Sequence, residues 1–148
     1  RASNELVKEV QIIHLTGKNK SDKSIQIHGY IQYEFIRDEM AEAYQKSTIV
    51  VSRAGLGALI ELAYLKKPAI IIPLPDSHQE ENVEMHRKNN SAIILHQKQL
   101  SPQLFANHIL SLVKDVDKQE ELSTNIAQYY KADATDKILE LIENLMYK

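Results

Sequence analysis

The sequence predicts an α/β fold, a parallel sheet flanked by helices, and three observations carry that prediction. The first is a pair of uniformly apolar runs, Ile49-Val50-Val51 and residues 69–73 (AIIIP), with the β-branched, non-alternating character of strands covered on both faces. The second is what lies between them. Ala54-Gly55-Leu56-Gly57 marks a sharp turn, residues 58–65 (ALIELAYL) put Leu59, Ala63 and either Leu62 or Ile60 on one helical face, and Lys66-Lys67-Pro68 stops the helix. Strand, glycine turn, helix and strand in that order predict a right-handed parallel crossover. The third is that apolar runs and helical periodicities keep alternating on either side of this unit.

Taken in order, residues 1–8 (RASNELVK) read as a short helix with Leu6 and Val7 inward, and residues 10–15 (VQIIHL) as a strand. Thr16-Gly17-Lys18-Asn19-Lys20 is a polar, basic turn. Residues 24–28 (SIQIH) alternate, which predicts a strand leading into residues 29–36 (GYIQYEFI). Arg37 or Asp38 then opens a helix over residues 39–45. Beyond the central unit a helix starts near Gln79, runs to Lys88 and stops at Asn89-Asn90-Ser91, and residues 92–95 (AIIL) form another strand. Ser101 is an N-cap with Pro102 at the first helical position, and Leu104, Ile109, Leu112 and Val113 share the face of the helix that follows. Helices over residues 118–130 and 135–146 close the chain, and the stripe Ile138, Leu141, Ile142 and Leu145 is expected to cover the sheet. With no internal repeat or low-complexity linker, residues 1–148 are one domain.

Composition narrows the function. A chain of 148 residues with 43% apolar content can bury roughly two thirds of its unfolded surface. A formal charge of −2 gives no field that would draw nucleic acid. Cysteine is absent and the six histidines never pair at ligand spacing, so no metal site is expected. No apolar run approaches the roughly 18 residues of a membrane span, and the chain begins at Arg1 without an initiator Met.

The chemistry concentrates in residues 48–82. The free N–H groups at the start of the central helix and its macrodipole favour an anion at Gly55, Leu56, Gly57 and Ala58, and a diphosphate would suit them. The plain alternative is that the glycines only make a tight turn. Glu61 stands about one helical turn past Gly57 in an otherwise apolar helix, where a charge needs a ribose diol, a salt bridge or a solvated face. After the second strand, Asp76, Ser77, His78, Gln79 and Asn82 gather at a strand's carboxyl end, where open α/β sheets bind ligands. Gln79 and Asn82 share a helix face, unless this stretch is only an N-cap followed by surface.

These residues carry a resemblance. VVSRAGLGALIELAYLKKPAIIIPLP with HQEEN resembles the donor-nucleotide half of the MurG family, in which R-[SA]-G-A-x-[ST]-x-x-E precedes a Pro-ended strand and Q-x-x-N. Asn4, His14, Thr16, Gly17 and Lys18 fit the family's helix Asn and H-x-[TS]-G-K strand end, and Phe35, Ile36, Met40, Ala43 and Tyr44 fit F-I-x-D-M-x-x-A-Y with Glu39 as one extra residue. The likeness is weak after Leu100. It implies a Rossmann-like parallel sheet, like the C-terminal half of a GT-B glycosyltransferase. The family's Gly-rich phosphate loop and its strand would lie before Arg1, so the natural protein is expected to continue upstream into an N-terminal acceptor domain.

The resemblance further implies a site for UDP-N-acetylglucosamine, the donor for transfer of GlcNAc to lipid I in peptidoglycan synthesis, with no other cofactor. Ile36 would hold uracil through its backbone, and Met40 and Thr16 count among the donor-binding residues by their match to the family's motifs, although Phe35, Ile36 and Met40 equally suit a core. Glu61 would accept the ribose hydroxyls; the N–H groups of residues 55–58 would hold the diphosphate; Gln79 and Asn82, with His78, would recognise the sugar. Arg53 would either neutralise the phosphates or brace the turn. Ala58 stands where the family has Thr or Ser, and Lys66 where it commonly has Gly. The family's catalytic base belongs to the N-terminal domain, so no catalytic residue is assigned here, and this piece alone is expected to be inactive. The full-length protein would act at the cytoplasmic face of the cell membrane on a lipid-linked acceptor. Rival readings are the donor subunit of a two-chain GlcNAc transferase acting on a dolichol-linked acceptor, a non-catalytic nucleotide-binding module, and a purely structural domain.

Overall fold

The computed structural model describes residues 6–129 and 134–146. The five strands among them all pair in parallel, as the βαβ pattern requires, and they lie in two sheets. Strand β1 (Ile12–Leu15) pairs with β2 (Tyr30–Tyr33), Ile12 opposite Tyr30 and Leu15 opposite Tyr33. Strands β3 (Val50–Ser52), β4 (Ala69–Ile71) and β5 (Ile93–Ile94) make the second sheet in that order, Val50 opposite Ala69 and Ile70 opposite Ile93. The helices are α1 (Met40–Lys46), α2 (Leu56–Tyr64), α3 (Gln79–Lys88), α4 (Pro102–Lys114), α5 (Val116–Ala127) and α6 (Ala134–Met146).

Strand β4 shows why its sequence has no alternation. Ala69, Ile70 and Ile71 are all completely buried. Because successive side chains point to opposite faces, Ala69 and Ile71 join one apolar cluster with Leu59, Leu62 and Val83, while Ile70 joins another with Leu95, Ile109 and Leu122. The sheet is thus covered on both sides. Helix α4 begins as the sequence predicts: Ser101 accepts the Leu104 N–H at 3.1 Å, with Pro102 first in the helix. Helix α5 starts two residues before the predicted position, because Asp115 both follows α4 and caps α5, accepting the Lys118 N–H at 2.9 Å.

Two expectations are corrected. Residues 24–28 form no strand: Asp22 bonds the Ser24 N–H and hydroxyl, at 3.0 and 2.6 Å, and the side chain of Gln32 bonds both backbone groups of Asp22, so this loop is held by side chains while residues 30–33 take the place beside β1. The apolar stripe of α6 does not cover the sheet; Ile138, Leu141, Ile142 and Leu145 are all exposed. The expected helix over residues 1–8 lies largely outside the described residues, Asn4 included; Leu6 is buried as predicted.

Candidate functional site

Helix α2 leaves the carboxyl end of β3 through Arg53 and Ala54, with Gly55 as its N-cap and no side-chain cap on its first turn. The first N–H groups of the helix therefore carry no capping side chain. Gly55 adopts φ −67° and ψ 135°, a conformation open to any residue, and Gly57 lies within the helix without a positive φ. A Cβ at either position would meet nothing within 4 Å. Neither the turn nor the packing calls for glycine here, so the tight-turn explanation finds no support. Glycine inside a helix costs about 0.5–1 kcal/mol relative to alanine, and what it leaves in return is an uncovered backbone.

Glu61 lies four residues past Gly57, on the same exposed face of α2. Tyr44, a residue of the core on α1, donates from its hydroxyl to Glu61 Oε2 at 3.1 Å. Burial first, and then the adjacent carboxylate, pushes the Tyr44 hydroxyl up to about 12, so it stays protonated and keeps that donor aimed at Glu61. Oε1 of Glu61 remains for a second donor. The carboxylate is thus solvent-facing yet oriented. Sequence reasoning missed this partner; the only signal of it was the Ala43-Tyr44 pair.

The other predicted residues divide into those that shape the turn and those that stand apart. Arg53 Nη1 donates to Gln97 Oε1 at 2.7 Å and to the Ile72 carbonyl at 3.3 Å, so of its two predicted roles the brace is the one seen. Gln79 and Asn82, on the first turn of α3, reach across to the backbone of Ala54. His78 projects fully into solvent, 3.9 Å from Glu81, and Ser77 rather than His78 accepts the Gln79 N–H, at 3.2 Å. Leu56 is exposed and Ala58 half-buried. Ile36 is half-buried, Met40 packs against the core and Phe35 is exposed, so of that trio only Met40 clearly fulfils the packing alternative. Thr16 belongs to the other sheet, where its hydroxyl lies 3.0 Å from that of Ser21 and donates to the Tyr33 carbonyl at 3.3 Å. Among the described residues no group of three or more His, Asp or Glu side chains could hold a metal ion.

Parallel strands that deliver a glycine-opened helix and an oriented carboxylate at their carboxyl ends define an open α/β domain, a class whose ligands sit at that edge of the sheet. The chain belongs to the glycosyltransferase family 28 C-terminal domain family, whose description it matches over residues 2–138. It is 32% identical, across 96% of its own length, to the UDP-N-acetylglucosamine–N-acetylmuramyl-(pentapeptide) pyrophosphoryl-undecaprenol N-acetylglucosamine transferase of Oceanobacillus iheyensis. Its identity to the transferase of the same name from Crocosphaera subtropica is 35% over 90% of the chain. The chain spans about 40% of the length of these relatives. Its fold superimposes on the crystal structure of Acinetobacter baumannii MurG with a TM-score of 0.78, covering 97% of this chain and 46% of that one at 24% identity.

Proposed function

We propose that this chain is the donor-binding half of an N-acetylglucosaminyltransferase: it holds UDP-N-acetylglucosamine for transfer of the sugar to a lipid-linked N-acetylmuramyl-pentapeptide acceptor. The observation that carries the reading is the pairing of two glycines with no conformational or steric reason to be glycine and, one turn along the same face, a carboxylate oriented by a core tyrosine. The diphosphate would sit against the N–H groups of Gly55, Leu56, Gly57 and Ala58, where the helix macrodipole favours negative charge. Glu61 Oε1 would accept from the ribose hydroxyls. Ile36 would present backbone groups to uracil, with Met40 behind it, and Gln79, Asn82 and His78 would face the sugar.

In the transfer, an acceptor hydroxyl attacks the anomeric carbon, the new glycosidic bond forms, and the bond from that carbon to the phosphate oxygen breaks to release UDP. This chain would supply the second half of that exchange: backbone donors that stabilise charge building on the departing diphosphate. The proton of the acceptor hydroxyl needs a base, and none of these residues is placed as one. Acceptor and base would come from the part of the relatives' length that this chain does not match, as a second domain closing on the first at the cytoplasmic face of the membrane. Among the described residues no helix is long and apolar enough to cross a membrane.

Calorimetric titration with UDP-N-acetylglucosamine, UDP and ADP tests the reading. Uridine nucleotides should bind in preference to ADP, and Glu61→Ala should weaken them about tenfold, the loss of one or two charge-assisted hydrogen bonds. A folded chain that binds none of the three defeats it.

A further inference from the structure

The residue immediately before the glycine turn, Ala54, is completely buried, and both its peptide groups are held by side chains of α3. Gln79 Oε1 accepts the Ala54 N–H at 3.1 Å and, at the same distance, the N–H of Leu74 on the loop leaving β4. Asn82 Nδ2 donates to the Ala54 carbonyl at 3.0 Å. Only the oxygen of a carboxamide accepts and only its nitrogen donates, so these partners fix how each amide is turned. The same orientation leaves Gln79 Nε2 and Asn82 Oδ1 as the halves available to a ligand.

We propose that Gln79 and Asn82 are positioning residues for the diphosphate cradle, beyond any contact they make with the sugar. By gripping the Ala54 peptide from both ends they set the direction in which the chain leaves β3 and so where the N–H groups of the first turn of α2 point. This rests on the donor-binding reading above and deepens it. The physical ground is that a buried N–H or carbonyl does not stay unpaired. If the Gln79 oxygen is removed, two N–H groups lose their acceptor at once, and the segment must shift to find water or another partner. Gly55 is the next residue, with no side chain to anchor it. Arg53, on the other side of Ala54, is tied to Gln97, so the displacement is directed into the glycine turn.

UDP separates positioning from contact, because it carries the diphosphate and lacks the sugar. Gln79→Met and Asn82→Leu keep side-chain volume and remove the polar atoms. Each variant should bind UDP about tenfold more weakly than the native chain, with faster hydrogen exchange confined to the Ala54 and Leu74 amides in Gln79→Met. Gln79→Glu returns an accepting oxygen to the clamp and should restore slow exchange at those two amides, which a general loss of folding would not allow. Native binding of UDP with unchanged UDP affinity in both folded variants, even if the sugar nucleotide weakens, overturns the inference and leaves only sugar contacts. A native chain that fails to bind UDP instead overturns the donor-binding reading, and this inference falls with it.

Discussion

At the scale of single residues, Gly57 sets stability against function. Its helical conformation and empty surroundings mean that Gly57→Ala should stabilise the fold by about 0.5–1 kcal/mol, read as a higher denaturant midpoint. The same methyl would stand over the backbone that the diphosphate needs, so UDP affinity should fall, and further in Gly57→Val. A variant that gains stability and keeps full affinity would remove the cradle. His86 gives a second prediction. It is buried on α3, its Nδ1 is 2.8 Å from the Ser91 hydroxyl, and its ring lies 4.8 Å from that of Tyr129. The Ser91 hydroxyl also lies 3.3 Å from the His86 carbonyl, and burial holds the imidazole below its ordinary value. A depressed histidine contributes stability above its unfolded value of about 6.5, and that stability is lost as pH falls through it, because the unfolded chain then binds the extra proton. Urea midpoints should drop between about pH 7.5 and pH 5, and by less in His86→Gln. An identical drop in both would place the titrating group elsewhere.

At the scale of elements, the end of α2 shows a local rule broken. The Lys66 N–H bonds the Ala63 carbonyl at 3.2 Å and the Lys67 N–H the Leu62 carbonyl at 2.9 Å, the paired closure that normally uses a left-handed glycine. Lys66 takes that position with φ 52°. Lys66→Gly should therefore stabilise the chain by about 0.5–1 kcal/mol, the relieved strain exceeding the added freedom of the unfolded chain; a lower thermal midpoint would contradict it. The helix stop itself was legible, since Lys66-Lys67-Pro68 cannot continue an apolar helix. So were the start of α4 and the covered strand β4, because Ser-Pro capping and unbroken β-branched runs are local signals. Residues 24–28 were misread because SIQIH has strand alternation, whereas the choice of partner for β1 is made by Gln32 and Asp22 at longer range. In the site, the glycines and Glu61 were visible as types at a spacing. The Gln79–Ala54–Asn82 clamp was not, because it joins a strand end to a helix 25 and 28 residues away through backbone atoms, which leave no trace in side-chain identity.

For the molecule as a whole, periodicity announced parallel strands flanked by helices, and these are found, β1 with β2 in one sheet and β3, β4 and β5 in the other. The division has an energetic consequence. In the three-stranded sheet, β4 is sealed between two apolar clusters, so its amides can meet solvent only when both are disrupted. The two-stranded sheet is anchored on one face, where Ile12 packs against the cluster that holds Ile70. Its other face carries Ile13, Leu15, Ile31 and Tyr33, between 41% and 52% exposed. Two short parallel strands with one covered face bury too little to be stable alone. Native-state hydrogen exchange should therefore rank the sheets: the Ile72 N–H, bonded to the Ser52 carbonyl, should exchange only with global unfolding. The Ile12 N–H bonded to Gly29, and the Thr16 N–H bonded to Tyr33, should exchange at least about a hundredfold faster, through an opening that leaves β3, β4 and β5 intact. The glycine turn and Glu61 belong to the protected unit, so nucleotide should slow exchange at residues 55–58. Equal protection in both sheets would mean that they unfold as one body and that the split carries no weight in the energetics of the chain.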